Sequence, residues 1–442
     1  MTLVGLVWET RPLRTLAASL LLGTFAASAL ADDPPPKPTV RFDRVVIDDA
    51  FPDAYQVEVV DVDGDKKPDI VALGGSTIAW YQNPNWTKRV IATGGEPLAG
   101  DIISSATIDL DGDGKGEIAI ACKFAMNTPT RGKLFLASQG ATLDDPWTLR
   151  HVADVPSIHR LRWGDIDGDD KPELIVAPIF GSESQPPTYD QDLARVVEFR
   201  PDPEQPKTGK WTEREIMRRP VVHAVKVLPA VAVGSAKQPG GIVTADNTGV
   251  SIATAVLDQA GKVSRWKVLP GSLMPGASGN PPKRGSSEIQ IGQLPNHQPF
   301  FATIDPWHGS EVVVWQPPTL ETDLFKAFLK GVVGGLPSFT FSRTVIDSTL
   351  DDGHALWTAD VDGDGTDEIF AGHRGKDHRV AMYKLDGKTW NRTILDTGIA
   401  PQDLRGGDID GDGVPDVVAV GGDTHNVIWY RPIRLEPQGV AR

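Results

Sequence analysis

The chain has 442 residues, with 44 Lys plus Arg against 59 Asp plus Glu, for a formal net charge of −15 at pH 7. That surplus of carboxylates argues against nucleic acid or an anionic membrane surface as partner, because both recruit basic patches. The 45 Gly and 36 Pro point to many turns, while a 40% hydrophobic fraction supplies a core and excludes disorder.

Arg11 and Arg14 precede an apolar stretch at residues 16–27, and Ala29-Leu30-Ala31 follows as an A-x-A cleavage site. Residues 1–31 therefore read as a signal peptide, and the protein is expected in the periplasm or secreted. The apolar stretch is too short to remain as an anchor, and nothing else in the chain is long and apolar enough to span a bilayer. Residues 32–40 (DDPPPKPTV) read as a stiff Pro-rich linker. The lone cysteine, Cys122, excludes an intrachain disulfide; in the apolar run EIAIACKF it reads as a buried, inert thiol.

A nonapeptide then recurs five times: DVDGDKKPD from Asp61, DLDGDGKGE from Asp109, DIDGDDKPE from Asp165, DVDGDGTDE from Asp360 and DIDGDGVPD from Asp408. Each copy follows a short alternating run and precedes an apolar one, which predicts two strands joined by an acidic turn. The long gap between Asp165 and Asp360 holds two degenerate copies, HAVKVLP with GGIVTADNTG and EIQIGQLP with PFFATIDPWHG. A fourth-strand pattern also occurs seven times: DRVVID, KRVIAT, LRHVAD, EREIMR, SRWKVL, SRTVID and NRTILD. The first of these precedes any complete unit, and the last unit lacks one. The expected fold is an all-β, seven-bladed β-propeller over residues 41–432, closed by an N-terminal strand that completes the last blade, with a tail at 433–442. An insertion at residues 317–341, with a short helix at 321–330, is read as structural.

Carboxylates at positions 1, 3, 5 and 9 of a tight turn, with Gly at position 4, are the layout of a hard-cation loop. The expected ligands are Asp61, Asp63, Asp65 and Asp69; Asp109, Asp111, Asp113 and Glu117; Asp165, Asp167, Asp169 and Glu173; Asp360, Asp362, Asp364 and Glu368; and Asp408, Asp410, Asp412 and Asp416. All-oxygen, charged ligands favour Ca²⁺, up to five ions in a structural role. The plain alternative is a solvated acidic turn. These repeats resemble the FG-GAP/VCBS family of calcium-binding propellers over nearly the whole mature chain, which implies fold and calcium but no chemistry.

The first strand of each propeller blade lines the central channel. Six residues before each turn stand Tyr55, Ile103, His159, His223, Glu288, His354 and Gln402. His159, His223, Glu288 and His354 form a candidate ligand set for a divalent transition metal such as Zn²⁺, Mn²⁺ or Fe²⁺, at the end of the channel opposite the calcium turns. A hydrated channel without metal is the competing reading. The second strands return to that face, bringing Lys123, Asp246 with Asn247, Asp305 with Trp307 and His308, His373 with Arg374, and Asp423. The loop at residues 181–192 offers Tyr189 and Asp190 as a rim.

Four stretches are more specific: SIHRLRWGDIDGDDKPELIVAPIFG, ATIDPWHGSEVVVW, DDGHALWTADVDGDGTDEIFAGHRG and GGDTHNVIWY. They resemble the propeller domain of the aldos-2-ulose dehydratase family, which implies a metal-bound propeller that eliminates water from a keto-sugar such as an aldos-2-ulose or 1,5-anhydrofructose. The family's fungal enzyme adds cupin domains for a later isomerisation, a step not expected of this propeller alone. On that reading His308 or His373 is the base, Arg374 and Asp246 orient hydroxyls, and Trp307, Lys123, Tyr55, Tyr189 and Gln402 contact the sugar. His425 fits the THN stretch as a turn buttress. The alternative is a non-catalytic, calcium-stabilised propeller that binds glycans or proteins.

Overall fold

A computed structural model describes residues 39–233, 236–295, 298–317 and 340–435. The signal peptide, the linker up to residue 38, the helix expected at 321–330 and the last seven residues lie outside these. Among the described residues there is no α-helix, and no helix is long and apolar enough to cross a membrane.

Seven four-stranded antiparallel sheets follow one another around a ring. Their first strands are Ala54–Val60, Ser104–Ile108, Ile158–Gly164, Ala224–Leu228, Glu288–Leu294, Gly353–Ala359 and Pro401–Gly407, here taken as blades 1 to 7. In blade 7 the outer strand is Thr39–Asp48, paired antiparallel to Asn426–Leu435 from Thr39 opposite Leu435 to Asp48 opposite Val427. The N-terminal strand therefore closes the ring as expected. The closing pair runs three residues past the expected end at 432.

Second strands such as Asp69–Gly74 and Asp416–Gly421 are buried at every position, because each sheet packs on a neighbour through both faces. The apolar layers lie between blades; one joins Val57, Ile70 and Tyr81 of blade 1 to Ile409, Val418 and Trp429 of blade 7. The outer strands of five blades each carry one exposed apolar residue: Val46, Val90, Val268, Val345 and Ile394.

Three junctions share a polar clasp. The Tyr81 hydroxyl of blade 1 donates to Asp48 of blade 7 at 2.5 Å, Tyr383 of blade 6 to Asp347 of blade 5 at 2.7 Å, and Tyr430 of blade 7 to Asp396 of blade 6 at 2.8 Å. A basic side chain joins each: Lys88, Arg392 and Arg44.

The acidic turns brace themselves. Asp61 accepts from the N–H groups of Gly64 and Lys66 at 2.8 and 2.9 Å, and Asp69 accepts from Val62 at 2.9 Å. Glu117, Glu173, Glu368 and Asp416 repeat that last bond to Leu110, Ile166, Val361 and Ile409. Position 4 is glycine because φ there is +76° to +80°, as at Gly64, Gly112, Gly168, Gly363 and Gly411.

Candidate functional site

The inner ends of the first strands meet at one end of the channel. Four residues that enter these strands have left-handed backbone: Asp53, Ser157, Val221 and Asp352, at φ of 49° to 59°. Each stands two residues before a ring position, namely Tyr55, His159, His223 and His354. Such conformations cost about 1–3 kcal/mol for non-glycine residues and persist where the surroundings fix them. In blades 1, 3, 6 and 7 the pairing slips by one residue here, between Ile158 and Arg160 in blade 3 for instance. That bulge lets successive residues both turn toward the axis.

His223, His308 and His354 converge, with one ring nitrogen from each within 4.8 Å of the others. Their ring centroids stand 4.8 to 5.0 Å apart. Every Nδ1 is held from behind. His354 Nδ1 is 2.6 Å from the Gln402 carbonyl oxygen. His223 Nδ1 donates to the Ser287 carbonyl at 3.2 Å, and Glu288 Oε1 stands 2.9 Å from the same nitrogen. His308 Nδ1 lies 3.2 Å from Asp352 Oδ1. With each proton placed on Nδ1, the three Nε2 lone pairs face one another; His308 Nε2 is 3.0 Å from His223 Nε2. Burial pushes the pKa of His223 and His354 well below the ordinary value, and that of His308 down to about 3 against the pull of Asp352. Neutral imidazoles anchored through Nδ1 are what a metal ligand requires.

His308 reaches this point from blade 5 on a loop with positive φ. The Gly309 carbonyl accepts from the Gly353 N–H at 3.0 Å, which docks the loop against blade 6 beside His354. A Cβ on Gly353 would meet that carbonyl oxygen at 2.8 Å and Ile304 and Leu350 at 2.9 Å, so the approach needs glycine. Lys283 Nζ donates to the Trp307 carbonyl at 3.1 Å and supports the loop from outside.

The expected ligand set of His159, His223, Glu288 and His354 is thus divided. His159 stands beside the trio, its Nε2 3.1 Å from the Tyr55 hydroxyl and its Nδ1 buried. Tyr55 in turn lies 3.4 Å from His354 Nε2. Glu288 supports His223 and pairs with Arg160 at 3.4 Å instead of joining the Nε2 atoms. His308, expected as a base, stands among the potential ligands. Arg374 donates to Gln402 and, at 2.9 Å, to Asp352, and its other arm lies 3.1 Å from His308 Nδ1. The His308, Arg374 and Asp352 side chains keep 20%, 20% and 39% of their surface, so the site opens to solvent on their side.

Other expected site residues lie elsewhere. Asp246 is buried and spent on Arg219, Thr244 and Thr248, which makes it an anchor of its own turn. Among the described residues His373 has no hydrogen-bond partner in the channel; its Nδ1 faces the Asp351 carbonyl at 3.1 Å. Trp307 is 7% exposed and packs with Phe180, Val221 and Tyr189, so it walls the site rather than offering a ring face. Tyr189 stacks on Phe180 at 4.9 Å, and Lys123 is tied to Glu96 at 2.9 Å. Asp190 reaches Arg284 at 3.5 Å, joining two loops at the rim. His425 Nδ1 accepts from the Asp53 N–H at 3.4 Å, a link between blades 7 and 1. Arg160, Asp352 and Ser287 were missed, since none sits at a ring position counted back from the turns.

In the acidic turns, positions 1, 3 and 9 converge within 4.8 Å: Asp61, Asp63 and Asp69; Asp109, Asp111 and Glu117; Asp165, Asp167 and Glu173; Asp360, Asp362 and Glu368. Position 5 also closes its own small turn, as where Asp65 accepts from Lys67 N–H at 2.8 Å. Basic side chains approach several turns. Lys207 sits 2.8 to 3.0 Å from Asp111, Asp113 and Glu117, Arg200 bridges Asp167 and Glu173, Lys384 contacts Asp362, and Arg431 contacts Asp410. Asp63 instead accepts from neutral Gln82 at 2.6 Å.

Residues 61–120 and 360–419 match the family described as FG-GAP-like repeat, and residues 133–317 match the one described as Aldos-2-ulose dehydratase, beta-propeller domain. The curated Aldos-2-ulose dehydratase of Phanerodontia chrysosporium is 24% identical over 385 residues, covering 79% of this chain and 40% of that protein. The chain therefore spans well under half the length of that relative. A solved Agrocybe aegerita lectin described as recognising non-reducing terminal N-acetylglucosamine is 12% identical with a TM-score of 0.43, covering 78% of this chain and 81% of that one. A putative 6-phosphogluconolactonase from Bacteroides uniformis is 12% identical with a TM-score of 0.43, covering 84% and 90%. Likenesses of that size carry no argument about function.

Proposed function

We propose that the chain is a metal-dependent carbon–oxygen lyase that eliminates water from a keto-sugar such as an aldos-2-ulose. The observation that carries this reading is the trio His223, His308 and His354, each anchored at Nδ1 and sharing one Nε2 focus. The distant likeness to a dehydratase supplies the substrate class. These residues suit a divalent transition ion such as Zn²⁺ or Mn²⁺: three neutral nitrogen donors leave further positions open. Such an ion supplies a Lewis acid for a sugar carbonyl.

The remaining work falls to side chains around the trio. His159, kept neutral by burial, accepts the α-proton directly or through the Tyr55 hydroxyl. The C–H electron pair becomes the carbon–carbon double bond, the β-carbon loses its hydroxyl, and that group leaves as water with the proton that His159 took up, giving an enone. Arg374, fixed by Asp352 and Gln402, orients the sugar oxygens from the open side.

The acidic turns are assigned to Ca²⁺ in a structural role, supported by their carboxylate convergence and repetition. The turn at Asp61 is the strongest of these, because its converging Asp63 accepts from neutral Gln82 and its Lys67 reaches only Asp65, at 3.5 Å, whereas Lys207 and Arg200 sit on the converging carboxylates of two other turns. The test of the lyase reading is transition-metal content per chain after calcium exchange, followed by incubation with a keto-sugar and detection of the enone ultraviolet band. About one Zn, Mn or Fe per chain and a metal-dependent enone support it. Calcium alone and no enone overturn it, and favour the glycan- or protein-binding alternative.

A further inference from the structure

The opposite mouth of the channel carries a second polar site. Three residues before the acidic turns, the first strands present Glu58, Arg162 and Arg405, and blade 4 presents Lys226 beside them. Together with Ser105, Thr107, Trp163 and Trp357 they line a cavity of about 270 Å³. It lies at the other end of the first strands from the histidine trio and does not depend on the lyase reading.

Its charges do not cancel. Arg405 pairs with Asp403 at 2.8 Å. Glu58 is satisfied by the Ser105 hydroxyl and by the Thr107 N–H at 2.9 Å. Arg162 donates only to the Leu161 carbonyl, at 2.6 Å, among the described residues. Lys226 has no carboxylate or carbonyl partner among them, and its ammonium lies 5.2 Å from the centre of the Trp357 ring. Two cations on neighbouring strands therefore keep free N–H donors aimed into a half-buried cavity. Burial, then the neighbouring Arg405, weakens the charge of both: Arg162 is pushed down to about 9 and Lys226 well below its usual value.

We propose that this cavity binds a tetrahedral oxyanion, a sulfate or phosphate group, held by Arg162, Lys226 and Arg405. Donors from three separate strands suit an anion with several oxygens in different directions, whereas a carboxylate is served by a single guanidinium fork. The Ser105 and Thr107 hydroxyls and the tryptophan walls leave room for a sugar carrying that group.

The test is calorimetric titration of the full chain at constant ionic strength with inorganic sulfate, inorganic phosphate, a sulfated monosaccharide and a phosphorylated one, with acetate as control. Saturable binding of the tetrahedral anions, weakened about tenfold or more in Lys226→Met by loss of a charge-assisted hydrogen bond, is the expected result. Tighter binding of a sugar ester than of the free ion identifies an esterified sugar as the ligand, and equal binding identifies the free ion. Lys226→Met relieves repulsion, so its melting temperature without anion is expected to rise while the anion-dependent increase disappears. No saturable binding by wild type, or equal binding by a folded Lys226→Met chain, overturns the proposal.

Discussion

His308 Nε2 lies 3.0 Å from His223 Nε2, although the two residues are 85 positions apart and come from different blades. Two imidazoles at that distance share either one proton or one metal ion. Both Nδ1 atoms face oxygen acceptors, as the proposed metal site requires, and Arg374 also lies 3.1 Å from that of His308. Replacing His308 by Ala, or His354 by Ala, is expected to remove the bound transition metal. His159→Ala is expected to keep the metal and lower kcat on a keto-sugar by about 100-fold or more. Metal analysis beside turnover separates these roles. Metal lost from His159→Ala would return that residue to the ligand set.

Asp352 is the acceptor behind His308 and the clamp on Arg374. Its carboxyl is held well below the usual range; burial opposes this, but the hydrogen bonds from His308 and Arg374 outweigh it. Asp352→Asn preserves shape and removes the charge. Metal affinity is expected to fall about 10–100-fold, the usual effect of losing a partner behind a ligating histidine. A chelator-competition titration reads that change directly, and unchanged affinity would show His308 to be oriented by the loop alone.

The propeller was legible in the sequence because each blade repeats its own strand pattern and turn, and the unpaired N-terminal DRVVID had one vacant place to go. The ring at Tyr55, His159, His223, Glu288, His354 and Gln402 was legible for the same reason. What counting could not give was direction. A bulge at His159 turns Arg160 inward as well, and Glu288 is then shared between Arg160 and the Nδ1 of His223 instead of joining the Nε2 atoms. His308 reaches the site from a loop after a second strand, where no period applies, and tertiary contacts such as the close approach of Gly309 to Gly353 set its position. Asp246 and His373 lay on the expected face, but a turn hydrogen bond claimed the first and the Asp351 carbonyl the second.

The turn at Asp61 offers three converging carboxylates, with neutral Gln82 at Asp63 and Lys67 only at Asp65, whereas Lys207 already sits among Asp111, Asp113 and Glu117. Asp63→Asn is therefore expected to reduce the calcium-dependent gain in melting temperature more than Asp111→Asn does. Lys207→Met is expected to add a calcium-binding equivalent or tighten an existing one. Calcium titration by calorimetry on the three variants decides it; equal losses from Asp63→Asn and Asp111→Asn would mean that the lysine yields to the ion.

Acid sensitivity is expected to reside in the clasps between blades. Burial alone would raise the Asp347 carboxyl, but Thr349, Tyr383 and Arg392 donate to it and bring it down from 3.8 to about 2. Its side chain is only 4% exposed, so solvent screens the clasp little. A carboxyl whose folded pKa is depressed stabilises the fold above the unfolded pKa, and that contribution is lost as pH falls through the folded one. The shift corresponds to roughly 2 kcal/mol at neutral pH. Asp347→Asn is thus expected to lose about that much in urea unfolding at pH 7, with the gap to wild type narrowing between about pH 4 and pH 2. Asp48 and Asp396 are lowered through equivalent partners, against the same opposing effect of burial. They tie the two junctions that flank blade 7, the one blade assembled from both ends of the chain. Weakening either clasp should therefore release Thr39–Asp48 first, and amide exchange in that strand should accelerate before any other as pH falls. A gap between Asp347→Asn and wild type that stays constant down to pH 2.5 would show that packing, not the charge, holds the junction.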